Sequence, residues 1–403
     1  MKYSLIIPVY NRPDEVKELL ESLTRQAFCD YEVIIVEDGS DVTCKDVCDA
    51  YADRLPLTYY YKDNSGPGQS RNYGAERAKG EWLIILDSDV VLPDGYLMAV
   101  EKELEQAAEA GEEVGAFGGP DASHPSFTPV QKAISYSMTS FFTTGGIRGG
   151  KAGDADNEAP KQQKRKALDK FYPRSYNMGI RREVYRELGG FSKMRFGEDI
   201  DFSYRIVEAG FKTALFPTAW VWHKRRTDLK KFFRQVYNSG IARINLEKRH
   251  PGTLKPVHAM PALFTVGVAG LILISAVGRV LMAYDDVEKW YWLCAAPWLP
   301  ILLYAFLICT DATIRNRSLK VGIISIAAAF TQLTGYGCGF IEAWWKRVVK
   351  KQDEYHAFSA AIAAECVIPE QPIVSTSASW MIPSFTLSES LQVPCWGAHQ
   401  PIP

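Results

Sequence analysis

The segment LIILDSDVVLP, residues 83 to 93, runs apolar up to Leu86, places Asp87 and Asp89 one residue apart, and turns apolar again. Two like charges this close repel unless a cation lies between them. Alternation along a strand turns residues i and i+2 to one face, so both carboxylates are expected to open into one crevice. Carboxylates are hard ligands suited to Mg2+ or Mn2+, ions that usually complete their shells with phosphate oxygens and water. The spacing therefore points to a divalent metal and a diphosphate ligand. A bare DxD triplet is also common in surface turns; its place directly behind LIIL argues for a buried strand edge instead.

The elements that must position these acids are legible around them. YSLIIPVY and YEVIIVEDGS are β-branched apolar runs bounded by turn residues, as buried parallel strands are. Between them PDEVKELLESLTRQ has helical spacing and opens on a proline and acids. LTYYYKDN reads as a third strand, and GPGQSRNYGAERAKG as a Gly-rich loop running into a helix that ends at Gly80. The alternation predicts an α/β fold, doubly wound, whose ligand crevice lies beyond the C-terminal strand edge with Asp38 and Asp87. Further on we expect a helix over 97–113, a strand in VGAFGGP and a mobile loop over 142–173. Two Gly-closed helices are expected in NMGIRREVYRELGGF and EDIDFSYRIVEAGF, and a strand in KTALFPTAWVWH.

SLIIPVYNR, VIIVEDGS, GPGQSRNYGAERAKGEWLIILDSD, NMGIRREVYRELGGF and GEDIDFSYRIVEAGF together resemble the ordered motif series of family 2 glycosyltransferases, over roughly residues 1 to 245. The resemblance implies a GT-A, Rossmann-like catalytic domain, a nucleotide-sugar donor, a divalent metal and inversion at the anomeric carbon. Carried over by position, it implies that Pro8 and Tyr10 line the nucleotide pocket and that Asp38 accepts hydrogen bonds from base or ribose, a role suited to an acceptor-only carboxylate. Arg71 and Asn72 lie in SRN, similar to the family's ARN, where a guanidinium holds the nucleotide and pairs with an acid. An ordinary helix-start ion pair is the plainer alternative for Arg71. The resemblance makes Asp199 the base that takes the acceptor's proton, with Glu198 beside it; Asp199 also reads as a helix N-cap acid. Some relatives place a metal contact where His223 stands, and a lone histidine after a strand is also commonly structural. The QxxRW motif of processive synthases is missing, since Gln235 is followed by VYNS.

Lys and Arg number 46 against 47 Asp and Glu, a net charge of -1, which offers no basic field for nucleic acid. Eight cysteines lie scattered without a CxxC pair and are expected to be reduced. Three apolar stretches, about 261–283, 290–310 and 321–341, reach the roughly 20 residues a bilayer crossing needs. Basic residues before the first stretch and in IRNRSLK predict a cytoplasmic side for both, at a bacterial inner membrane. Three full crossings would then put WWKRVVKK on the opposite face, and Gly335, Gly337, Gly339 and Gln332 weaken the third stretch, leaving it either spanning, re-entrant or interfacial. The basic stretch 223–243 reads as a helix on anionic lipid or as a diphosphate clamp. The expected organisation is a catalytic domain over 1–250, a transmembrane region over 258–345 and a poorly ordered tail over 346–403. The expected partners are a nucleotide sugar, a glycan or lipid-linked acceptor, and membrane lipid.

Overall fold

The computed structural model describes residues 1–124, 126–145, 171–284 and 287–353. Most of the loop expected over 142–173, and the tail from 354 onward, lie outside the described residues. Strands β1 (Tyr3–Val9), β2 (Tyr31–Asp38) and β4 (Trp82–Leu86) are buried throughout, and β3 (Leu57–Lys62) is half-buried at the sheet edge. Helices α1 (Pro13–Leu23), α2 (Lys45–Tyr51) and α3 (Pro67–Arg77) connect them. Odd-numbered side chains Leu5, Ile7, Val33 and Ile35 pack with Val16, Leu19 and Leu20 of α1, while Ile6, Ile34 and Val36 join a second core on the other face. A sheet with both faces covered by helices requires such continuous apolar strands.

The seven-stranded sheet has the order β3-β2-β1-β4-β8-β6-β9, where β6 is Val114–Gly118, β8 Asn177–Arg181 and β9 Lys212–Leu215. Strands β3, β2, β1 and β4 are parallel, and β8 runs antiparallel between β4 and β6. Three strands form a smaller sheet, β5 (Val90–Val91), β10 (Val221–His223) and β7 (Asp121–Ala122). Around these pack α4 (Tyr96–Glu109), α5 (Pro129–Thr139), α6 (Phe141–Thr144), α7 (Arg182–Glu187), α8 (Glu198–Glu208) and α9 (Leu229–Arg249).

Two expectations need correction. NMGIR is strand β8, and the helix begins only at Arg182; Gly179 lies under the Phe117 ring of β6, where a Cβ has no room. KTALFPTAWVWH is two strands in different sheets, because Pro217 lacks the N–H a ladder needs and the chain turns there.

Beyond α9 come α10 (Met260–Leu281), α11 (Val287–Ala295), α12 (Leu299–Asn316) and α13 (Leu319–Trp344). Three segments are long and apolar enough to cross a membrane: Pro256–Leu281, Trp290–Asn316 and Leu319–Val349. They differ in burial. Only 6% of each of the first two is covered by protein, against 44% of the third. The glycines of α13 do not interrupt it. They face α9 and α10 at backbone contact distance, with Gly339 on the Tyr237 carbonyl, Gly337 on the Pro261 carbonyl, and a Cβ at Gly335 only 2.6 Å from Val236.

Candidate active site

Strand β4 ends at Leu86, and Asp87 to Asp89 form the turn into β5, closed by Val90 N–H donating to the Asp87 carbonyl. The two acids therefore converge through a turn, where strand alternation had been expected to align them. The small sheet supplies the third member. Its register sets His223 opposite Val90 and Val221 opposite Asp121, and Lys224 N–H donates to the Asp89 carbonyl at 3.0 Å. One ligand atom each from Asp87, Asp89 and His223 lies within 4.8 Å of the others. Two carboxylates and an imidazole form a donor set suited to Mn2+ or Mg2+, and the second ring nitrogen, Nδ1 of His223, is held 3.5 Å from Asp121 Oδ2.

The cations beside these acids are also the protein's own. Arg71 donates from Nη2 to Asp87 Oδ1 at 2.8 Å, and Arg12 donates from Nη1 to Asp89 Oδ2 at 2.5 Å. Arg226 lies 3.8 Å from Asp89, and His223 Nε2 lies 3.3 Å from its other oxygen. Burial opposes ionisation of Asp89, but His223, Arg12 and Arg226 outweigh it and hold the carboxyl well below its usual range. Burial likewise pulls His223 down, yet Asp89 and Asp121 push it up to about 9. Metal binding at this imidazole must therefore release a proton.

Arg71 joins the two acidic segments predicted to carry the chemistry. It is 4% exposed, its Nη1 donates to Glu198 Oε1 at 2.9 Å, its Nη2 also reaches Ser175 Oγ at 3.1 Å, and its guanidinium carbon lies 5.1 Å from the Phe191 ring centre. Glu198 opens α8, and Asp199 follows in the first turn. The N-cap is Gly197, so Asp199 is not the capping acid. Asp199 Oδ2 accepts from Arg174 Nε at 2.7 Å. Burial would raise both carboxyls. For Asp199 the arginines Arg174 and Arg71 prevail and lower it; for Glu198 burial and the adjacent Asp199 charge prevail and raise it.

The remaining predicted residues divide by orientation. Pro8 is buried within β1, and Tyr10, just past its end, is half exposed at the crevice edge. Asp38 ends β2 but is 4% exposed. It accepts from Lys62, from Ser65 N–H at 2.9 Å and from Gly66 N–H at 2.9 Å, which fixes the start of α3. Asn72 turns toward the GGF turn, accepting from Tyr185 Oη and Phe191 N–H and donating to the Phe191 carbonyl. Arg12 and Arg174 were not singled out from sequence. Each stands alone in a polar stretch, NRPD and YPRSYN, and gains meaning only through a partner 77 or 25 residues away.

The model of the family described as "Glycosyl transferase family 2" matches residues 4–189. An uncharacterized glycosyltransferase of Haemophilus influenzae is 46% identical over 87 residues, 21% of this chain and 29% of its own length. Glycosyltransferase GlyG of Streptococcus pneumoniae is 28% identical over 126 residues, 31% of this chain and 42% of that protein. The chain thus spans less than half the length of these relatives. Among solved structures, the mannosyltransferase PcManGT from Pyrobaculum calidifontis, in complex with GDP-Man and Mn2+, is similar at a TM-score of 0.48 and 15% identity, over 86% of this chain and 88% of that one. The stretch that matches this family model, residues 4–189, takes in Arg71 and both acids of the β4–β5 turn.

Proposed function

We propose that the protein is a metal-dependent inverting glycosyltransferase that takes a sugar from a nucleotide-diphosphate donor, UDP-sugar foremost, to a lipid-linked or envelope glycan acceptor at the cytoplasmic face of a membrane. The observation that carries this reading is the Asp87–Asp89–His223 cluster at the C-terminal sheet edge of a family 2 domain, joined through Arg71 to the acids that open α8. Asp87, Asp89 and His223 would hold the ion. A divalent cation there supplies Lewis-acid neutralisation of a leaving diphosphate.

The chain's own residues account for the rest. Arg71 and Arg12 fix the two acids of the turn in place through charge-assisted hydrogen bonds. Tyr10, half exposed beside them, offers an aromatic face to a nucleobase. Asp199, held below the usual carboxylate range, is ionised at neutral pH and can take the acceptor hydroxyl's proton as that oxygen bonds to the anomeric carbon and the bond to the diphosphate breaks. Membrane attachment raises the local concentration of an acceptor already in the bilayer.

A panel of nucleotide sugars screened for hydrolysis, with and without EDTA, tests the reading. Hydrolysis should need the divalent ion and should fall by about 10²–10⁴-fold in Asp199→Asn with nucleotide binding kept. Equal turnover in that variant and the parent would remove Asp199 from the mechanism.

A further inference from the structure

The third apolar segment differs from the other two in what touches it. In its N-terminal half, Val321 and Ala328 pack in one cluster with Ala133, Ile134 and Met138 of α5, and Ala329 packs with Tyr136. The Tyr136 hydroxyl donates to Asp311 of α12 at 2.7 Å, which pins the entry to α13 against the same helix. In its C-terminal half, Gly339 lies on the Tyr237 carbonyl of α9, and Gly240 of α9 lies on the Tyr336 carbonyl. Tyr237 donates to Glu342, Arg347 Nε donates to Asn245 Oδ1 at 3.3 Å, and Lys248 lies 3.8 Å from Asp353. Helix α9 is itself part of the catalytic body. Its Ala242 lies at Gly197, the N-cap of α8, and His250 just beyond it contacts Asp201 at 3.0 Å.

Both ends of α13 therefore touch one water-soluble body. A 26-residue helix is about 39 Å long at about 1.5 Å per residue, while a bilayer's apolar core is about 30 Å thick. A helix crossing that core would carry its two ends to opposite sides. The neighbours of α13 along the hairpin agree with a transverse course. It meets α12 at Gly322 and Ala329, then α10 at Pro261, Phe264 and Thr265, in the first two turns of a helix that continues to Leu281.

We propose that only the α10 and α11–α12 segments cross the membrane, and that α13 lies in the plane of the bilayer surface on the catalytic side, its free face seated at the headgroup boundary of anionic lipid. Leu319, Ile323, Trp344, Trp345 and Val348 are exposed on α13, as are leucines and isoleucines of α10 and α12. Lys320, Lys346, Lys350 and Lys351 rim it, and Trp beside Lys is the composition expected at a lipid interface. The arrangement also removes the charge conflict of a three-crossing chain. Lys255, the basic IRNRSLK turn and WWKRVVKK all fall on one side, and the described chain leaves at Asp353 on that side too.

Sidedness can be read without any sugar transfer, so the test is independent of the activity proposed above. In a full-length chain with Cys29, Cys366 and Cys395 replaced by serine, Asp41→Cys, Tyr284→Cys and Gln352→Cys are made singly. Each is labelled with a membrane-impermeant maleimide in sealed vesicles of both orientations. Positions 41 and 352 should label from one side and position 284 from the other, with Asp353→Cys as a second reporter should Gln352→Cys fail to accumulate. Labelling of 352 or 353 from the side of 284 overturns the proposal, as does labelling of all three positions from one side.

Discussion

At the scale of residues, the site is a compensated charge array rather than a bare acidic pair. Asp87 and Asp89 each hold an arginine, so the repulsion evident in DSD is met by Arg71 and Arg12 before any metal is considered. Arg71→Met leaves Asp87 and Glu198 without their buried partner. It should destabilise the protein by about 3–5 kcal/mol, read by denaturant unfolding in detergent, and Arg71→Lys should not restore it because an ammonium cannot span both acids. Asp199 gives a pH prediction with a defined sign. Its folded pKa is depressed, so its ion pair contributes stability above the ordinary carboxylate pKa, lost as pH falls through the folded value. Arg174→Met removes the nearest cation and leaves burial opposed chiefly by Arg71, so the acid limb of kcat/KM should move to higher pH; an unmoved limb would dissociate Asp199 from that limb. The two acids were legible because their spacing and apolar lead-in are local in sequence. Arg12 and Arg174 were not, since long-range pairing leaves no periodic trace. Asp38 and Asn72 were read as ligand contacts, and the structure gives their polar atoms to the start of α3 and to the GGF turn.

At the scale of elements, long apolar runs were read correctly and punctuation less so. Strands β1, β2 and β4 announce themselves because both faces are buried. Strand β8 was hidden by the helical pattern that follows it, and Pro217 divides what looked like one strand. The glycines of α13 were legible as a weakness in a crossing segment, but their packing on α9 and α10 was not, because sequence shows that a side chain is missing and not what fills the space. Gly339→Ala drives a methyl into the Tyr237 carbonyl and should cost about 1–3 kcal/mol, seen as a lowered Tm in detergent. Gly270→Ala on α10, with nothing within 4 Å, should be neutral or slightly stabilising and serves as the control.

At the scale of the whole molecule, the chain couples an α/β domain to helices long and apolar enough to cross a membrane, whose outward side chains are exposed. Leu273→Arg, midway along α10, should reduce the membrane-inserted fraction by a cost of about 2.5–3.5 kcal/mol, measured after carbonate extraction. Leu319→Arg at the start of α13 should be tolerated, because a long cationic side chain at the surface reaches water. The contacts of α9 carry a final consequence. On one flank it meets Gly197, the N-cap of the helix bearing Asp199, and on the other it is knitted to α13 through backbone-deep glycine contacts. The proposed lipid-seated helix is thus joined by backbone contacts to the start of the helix that carries Asp199. Turnover at constant substrate should therefore differ between detergent micelles and nanodiscs of anionic lipid.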